Sequence, residues 1–158
     1  MAQTCEHDHG DDGGLSGPVL ADELDTAERR VGEAGERLTP PRRRVLELLL
    51  ESGQPVKAYD LMAAYQPGAP AKPPTVYRAL EFLSAQGFAH RIESLNAYVA
   101  CRRGEAGHAA AFLICDCCGA TREIASATNP IQALGEAAGY ALTGVTIEAH
   151  GLCADCRS

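Results

Sequence analysis

Four cysteines in two closely spaced pairs carry the clearest chemistry in this 158-residue sequence. Cys115 and Cys118 form one CxxC pair, and Cys153 and Cys156 form another. A CxxC turn places two thiolates on one side of a tight knuckle, and two knuckles complete a tetrahedron around Zn²⁺ with Zn–S distances of about 2.3 Å. A redox CxxC would open a helix after a strand, whereas another strand is predicted after the first pair. The pairs therefore predict a structural zinc site, with Cys117 as a bystander.

A second, more dispersed set of residues could also bind a metal. His90 and Cys101 lie in a predicted hairpin, where a two-residue loop would make them face each other with Cβ atoms about 4.5–5.5 Å apart. His108 follows the hairpin, and Glu123 is expected to point away from the apolar face of its strand. Two imidazoles, a thiolate and a carboxylate suit tetrahedral zinc. Spacing alone does not decide whether these four residues bind a metal, because such side chains are more often solvated or hydrogen-bonded.

The elements that must position these residues begin with a mostly helical half. Thr39 and Pro40 mark a helix start, with a capping Thr and a Pro at the first helical position. Gly53 is expected to end that helix. Helices are predicted over residues 19–37, 40–53, 58–65 and about 74–86, and a hairpin over residues 89–101.

The fourth predicted helix has two different faces. Tyr77 and Arg78 point away from its apolar arc, as expected of a helix that enters the major groove of DNA. A solvated polar face is the competing interpretation. The apolar arc comprises Val76, Ala79, Leu80 and Leu83. The predicted DNA contacts are Thr75, Tyr77 and Arg78, with Arg42, Arg43 and Arg44 as phosphate contacts.

The second half is predicted to be a small α/β unit with both CxxC pairs at strand ends. Strands are expected over residues 109–114, 120–125 and 143–149, and a helix over residues 130–139. The fold class is therefore α+β: an N-terminal winged helix-turn-helix DNA-binding domain, a hinge and a small C-terminal α/β dimerisation domain with a structural zinc. The predicted boundaries are a disordered acidic tail at 1–18, the winged helix at 19–101, the hinge at 102–108 and the dimerisation and metal-binding domain at 109–158.

Charge is distributed unevenly along the chain, whose net charge is −7. Residues 1–36 carry 10 acidic and 2 basic residues, whereas residues 37–91 carry 8 basic and 4 acidic residues. The basic block coincides with the predicted winged helix, which favours nucleic acid as a partner. No apolar run approaches a membrane span, and no signal peptide is recognisable. A cytoplasmic protein without a membrane role is expected, and its 7 cysteines are expected to bind metal rather than form a disulfide framework.

Three isolated ligand-type residues lie in the acidic tail. Cys5, His7 and His9 could bind a metal weakly, but a solvated tail is the preferred interpretation. His150, near a strand end, is expected to be structural rather than a ligand.

Several segments together resemble the ferric uptake regulator family, and within it the zinc uptake regulators most. They are RLTPPRRRVLELL, AYDLM, AKPPTVYRALEFLSAQGFAHRIES, AYVAC, FLICDCCGATREI and IEAHGLCADC, in order over about residues 20–156. The His-rich segment that iron-type members carry before the first CxxC is replaced here by GHAAAF, which argues against iron or peroxide sensing.

The resemblance implies a homodimeric, zinc-dependent repressor that binds an AT-rich inverted repeat upstream of zinc-uptake genes. It implies two zinc ions per chain, no enzymatic activity and no small-molecule substrate. Its structural zinc would use the four CxxC cysteines. Its regulatory zinc would use His90, Cys101, His108 and Glu123.

Two other classes of function remain to be distinguished. A thiol redox switch on the same fold would use Cys101 or Cys117 and release DNA on oxidation without regard to zinc. A zinc hydrolase would need an open coordination position and a nearby base. The sequence contains no HExxH motif, and both predicted sites have four protein ligands.

Overall fold

The computed structural model describes residues 13–66, 68–101, 110–124, 130–143 and 145–157. The chain forms two compact units. The described residues between 11 and 106 form one unit, called here the helical unit, and those between 107 and 158 form the other, called the sheet unit. None of the helices in these described ranges is long and apolar enough to cross a membrane.

The helical unit has the element order of a winged helix. Its hairpin is extended by Val56, which exchanges two backbone hydrogen bonds of 2.8 Å with Tyr98 and so ties the segment before the third helix to the wing. The elements are α1 (Gly17–Glu33), α2 (Pro40–Ser52), α3 (Ala58–Ala64), α4 (Pro73–Ala85), β1 (Ala89–Ile92) and β2 (Ala97–Ala100).

Glycines in the left-handed conformation end three of these helices. Gly53 follows α2 with φ +61, and Gly87 follows α4 with φ +76. At α4, the N–H groups of Gly87 and Phe88 donate to the carbonyls of Ser84 and Leu83, which satisfies the last turn. Gly35, with φ +76, acts in the same way after α1. The prediction that α1 continues to residue 37 is therefore wrong, because a left-handed residue cannot continue an α-helix.

The segment before α1 is anchored to the end of α2. The Leu15 N–H donates to the Leu50 carbonyl over 2.8 Å. Gly14 and Gly53 line this close approach, since a Cβ on either would collide with backbone of the facing segment. The predicted disorder of residues 1–18 therefore does not hold for residues 13–18; residues 1–12 lie outside the described ranges.

The core of the helical unit comes from the predicted apolar faces. Thr39 and Pro40 begin α2 as expected, although the Thr39 side chain makes no capping hydrogen bond. On α2, Val45, Leu46, Leu49 and Leu50 are buried, whereas Leu48 is only half-buried. The buried residues of the other two long helices are Leu20, Leu24, Ala27 and Val31 on α1, and Val76, Ala79, Leu80 and Leu83 on α4.

The wing has a different register from the predicted one. His90 lies opposite Val99 rather than Cys101. The loop contains four residues, 93–96, closed by the Asn96 N–H donating to the Glu93 carbonyl over 3.1 Å, and Asn96 adopts φ +47. The register is thus shifted by two residues, and because side chains alternate with a period of two, His90 and Cys101 stay on the same face.

The sheet unit is a three-stranded sheet with one helix. Its elements are β3 (Ala110–Cys115), β4 (Thr121–Ile124), α5 (Pro130–Ala137) and β5 (Thr146–Gly151). The strand order is β4-β3-β5. β3 is antiparallel to β4 and parallel to β5, with Cys115 opposite Gly151. This parallel pairing brings the carboxyl ends of β3 and β5 to the same edge, where the two CxxC pairs follow.

Candidate metal centre and nucleic-acid surface

The four CxxC cysteines meet at the shared end of β3 and β5. The sulfurs of Cys115, Cys118, Cys153 and Cys156 all lie within 4.8 Å of one another. The Cys118 and Cys153 sulfurs are 3.8 Å apart, which is also about the edge of a tetrahedron with 2.3 Å Zn–S bonds. The Asp116 N–H donates to the Gly151 carbonyl over 2.8 Å and so fixes the first knuckle against β5. The donor set and its spacing fit a closed zinc site.

Backbone donors already stabilise negative charge on one of these sulfurs. Hydrogen bonds from the backbone N–H groups of Cys118 and Cys153 lower the pKa of the Cys115 thiol to about 6, and the Cys153 N–H lies 3.3 Å from the Cys115 sulfur. Two effects raise the pKa of the Cys156 thiol: mainly its removal from solvent, and secondly its hydrogen bond to the Cys153 side chain. The cluster therefore holds its protons unevenly, and a zinc ion would displace them, because thiolates are the ligands.

Two residues near this edge lie outside the cluster of four sulfurs. Cys117 lies inside the first CxxC pair but is not among the clustered sulfurs. Cys101 and the four cluster cysteines are not disulfide-bonded. His150 was predicted to be structural, and its Nδ1 lies 3.0 Å from a carboxylate oxygen of Asp116. This contact links β5 to the first knuckle.

The second predicted metal set is divided between the two units. Within the wing, a ring nitrogen of His90 lies within 4.8 Å of the Cys101 sulfur, despite the shifted register. Cys101 is buried, and His90 is half-buried. Glu123 lies on β4 in the sheet unit, and His108 lies outside the described residues.

Glu123 and Ile124 lie on opposite faces of β4, as the alternation of a strand predicts. Ile124 is 39% exposed, and Glu123 is half-buried. Glu123 lies opposite the fully buried Phe112 of β3, and the register with β3 therefore decides which face of β4 is covered.

The exposed face of α4 has the predicted composition. Tyr77 is 48% exposed, Arg78 is exposed and Thr75 is half-buried in the first two turns of the helix. Tyr59 on α3 was missed by the sequence analysis, although it is 78% exposed. Its position directly after Ala58, the first residue of α3 and a buried one, was the sequence feature that could have predicted this exposure. Tyr59 and Tyr77 are therefore exposed tyrosines on two consecutive helices.

The three consecutive arginines of α2 contact three different partners. The Arg42 guanidinium lies 3.4 Å from the centroid of the Phe82 ring on α4. Arg43 pairs with Asp25 and Glu28 of α1, with N···O distances of 3.3 and 3.1 Å. Arg44 contacts the end of α3. Since successive helical residues point about 100° apart, each reaches a different helix, and each guanidinium has partners within the protein.

Comparison with known proteins assigns the family. The model for the ferric uptake regulator family matches residues 33–152. The chain belongs to the ferric uptake regulator family. Among relatives of this family, the zinc uptake regulation protein of Escherichia coli (strain K12) is 44% identical over 137 residues, which cover 84% of this chain and 80% of that protein.

Two solved structures of the family resemble this fold. One, described as a zinc uptake regulator complexed with zinc and DNA, has 41% identity and a TM-score of 0.79, and the match covers 89% of this chain and 97% of that one. The other, holo XcZur, has 43% identity and a TM-score of 0.78, and the match covers 86% and 97% of the two chains. The α+β architecture inferred from the sequence is thus that of the family.

Proposed function

We propose that this chain is a zinc-dependent transcriptional repressor of zinc-uptake genes. The observation that carries the proposal is the cluster of four cysteine sulfurs within 4.8 Å, in a chain 41% identical to a zinc uptake regulator solved with zinc and DNA. The protein would act in the cytoplasm on double-stranded DNA, as a regulator rather than an enzyme.

Two zinc ions per chain are proposed, with different roles. The structural zinc binds Cys115, Cys118, Cys153 and Cys156, because closed sites of four thiolates are typically structural. The regulatory zinc binds His90, Cys101, His108 and Glu123. Support for the second site is its donor chemistry, the closeness of His90 and Cys101 within the wing and the half-buried carboxylate of Glu123.

DNA recognition is proposed for the first turns of α4. Tyr77 and Arg78 would reach base edges in the major groove, and Thr75 would contact the backbone. Arg43 is the best phosphate candidate of the arginine triplet, since its partners Asp25 and Glu28 are themselves exposed and such ion pairs are weak. Tyr59 is added to this surface because of its 78% exposure.

Homodimer formation is proposed for the sheet unit. Leu113 and Ile124 share one face of the sheet and are 46% and 39% exposed. Helix α5 has no buried residue along its length, and its Ile131 and Leu134 are 44% and 67% exposed. Apolar surface of this extent is typical of an interface, and a twofold dimer would match an inverted repeat.

Zinc-dependent DNA binding by purified protein tests the proposal. The probe is an inverted-repeat duplex selected from a random pool by the zinc-loaded protein, titrated at fixed free zinc, iron or manganese. Zinc should tighten binding by about 5–150-fold, and Cys101→Ser should lose this response while it keeps the structural zinc. Equal binding with and without zinc, with release by oxidant alone, would instead support a thiol switch.

A further inference from the structure

The third helix of the helical unit ends differently from the other three. After α1, α2 and α4, a glycine with positive φ closes the last turn. The residue after α3, Tyr65, stays right-handed, with φ −58 and ψ −48. Among the described residues, Asn96 of the wing is the only non-glycine with positive φ, so Gln66 does not supply such a cap either. The last carbonyls of α3 therefore need other hydrogen-bond donors.

Two of those donors come from a single side chain of α2. The Arg44 Nε donates to the Tyr65 carbonyl over 3.0 Å, and Nη2 donates to the Ala64 carbonyl over 3.2 Å. Nη1 donates to the Glu47 carboxylate over 2.6 Å and lies 3.9 Å from Glu51. Both glutamates are on α2, so they hold the guanidinium in place while it binds the end of α3.

We infer that Arg44 is a positioning residue that caps α3 and thereby fixes the helix-turn-helix, rather than a contact to DNA phosphate. This inference rests on the proposed DNA-binding function. A guanidinium presents N–H donors in a rigid fork, and a positive charge at a helix C-terminus is favourable. All three of its nitrogens are committed to acceptors within the protein, and its side chain is 31% exposed.

The cap matters for DNA binding because α3 is short and leads to the recognition helix. Its 7 residues are too few for a stable isolated helix. The connection to α4 folds back on it, since the Ala71 N–H donates to the Met62 carbonyl over 3.0 Å. Loss of the cap would let α3 and this connection fray, so that only part of the population would present α4 correctly.

The test compares Arg44→Gln and Arg44→Lys with Arg43→Gln, its neighbour on α2. Arg43 contacts α1 instead of α3 and is the proposed phosphate contact. Amide hydrogen exchange of residues 58–64 is measured on the zinc-loaded dimer without DNA. Affinity for the selected inverted repeat and for a random duplex of equal length is then measured over a range of salt concentrations.

Arg44→Gln should speed amide exchange in α3 and weaken binding to the inverted repeat by about tenfold. A loss of that size is expected if only about one-tenth of the molecules present α4 correctly. Its salt dependence should stay that of the wild type. Arg44→Lys should behave alike, because one ammonium lacks the fork. Arg43→Gln should leave α3 exchange unchanged and lower the salt slope by about 0.9 per protomer, because each protomer loses one phosphate contact.

Three results would overturn the inference. The first is unchanged α3 exchange in Arg44→Gln, and the second is a salt slope of Arg44→Gln lowered by about 0.9 per protomer with equal losses on both duplexes. The third is full wild-type binding by Arg44→Lys. Wild-type protein that does not bind the inverted repeat with zinc would refute the proposed function instead. The exchange measurement needs no DNA, so the two failures are distinguishable.

Discussion

Replacement of one zinc ligand, Cys153→Ser, should unfold the sheet unit while leaving the helical unit folded. The described part of the sheet unit buries few apolar side chains, of which only Phe112 and Ile114 are large. Burial of each is worth about 1.5–3 kcal/mol, whereas a structural zinc contributes about 10–16 kcal/mol of apparent binding free energy. The ion therefore supplies more stabilisation than these two side chains together.

The position of Cys153 makes its loss especially damaging. Its backbone N–H lies 3.3 Å from the Cys115 sulfur, and its own sulfur lies 3.8 Å from that of Cys118. It thus joins the end of β5 to the knuckle that follows β3. Without it, three thiolates remain, and zinc would hold the ends of β3 and β5 together less tightly.

The assay follows zinc content, dimer state and unit-resolved hydrogen exchange. Cys153→Ser should lose one tightly bound zinc per chain, lose protection in β3 and β5 and sediment as a monomer. Cys101→Ser is the matched control, because it also replaces one cysteine with serine but lies directly after β2 of the wing. It should keep the structural zinc and the dimer. Retention of dimer and melting temperature by Cys153→Ser, despite its lost zinc, would refute the structural role.

Three further substitutions test other parts of the molecule. Arg78→Ala should cost about 1–3 kcal/mol in binding and relax base preference, and equal losses on selected and random DNA would reassign this residue to the backbone. Gly14→Ala should lower the free energy of unfolding by about 1–3 kcal/mol, because its Cβ would collide with the Glu51 carbonyl. Urea titration measures this loss, with Gly32→Ala, a helical site with open space around it, as the comparison. An unchanged unfolding midpoint for Gly14→Ala would contradict the close approach. Leu134→Glu should weaken the dimer because it places a charge on the exposed apolar side of α5, and sedimentation at several concentrations checks this; an unaltered dimer would exclude α5 from the interface.

Local spacing in the sequence was enough to determine the helices and the cysteine cluster. The apolar face of α4 was predicted from residue periodicity alone, because a helix of fixed pitch makes i, i+3 and i+4 neighbours whatever surrounds it. The CxxC pairs were identified for a similar reason. Each pair is a local knuckle, and thiolate chemistry selects the metal once two knuckles meet.

Pairing between distant segments was decided only by the tertiary structure. The wing register depended on a four-residue turn with Asn96 in a left-handed conformation, and Glu123 took the half-buried side of β4 because of its pairing with β3. From the sequence, Arg44 could be recognised only as a positive charge, because the carbonyls that accept its hydrogen bonds, those of Ala64 and Tyr65, lie about 20 residues away. The sequence by itself determined which groups can bind a metal or another helix. The partner each group meets depends on the packing of whole elements, because hydrogen bonds and ion pairs require contact distances that residue spacing cannot specify across a loop.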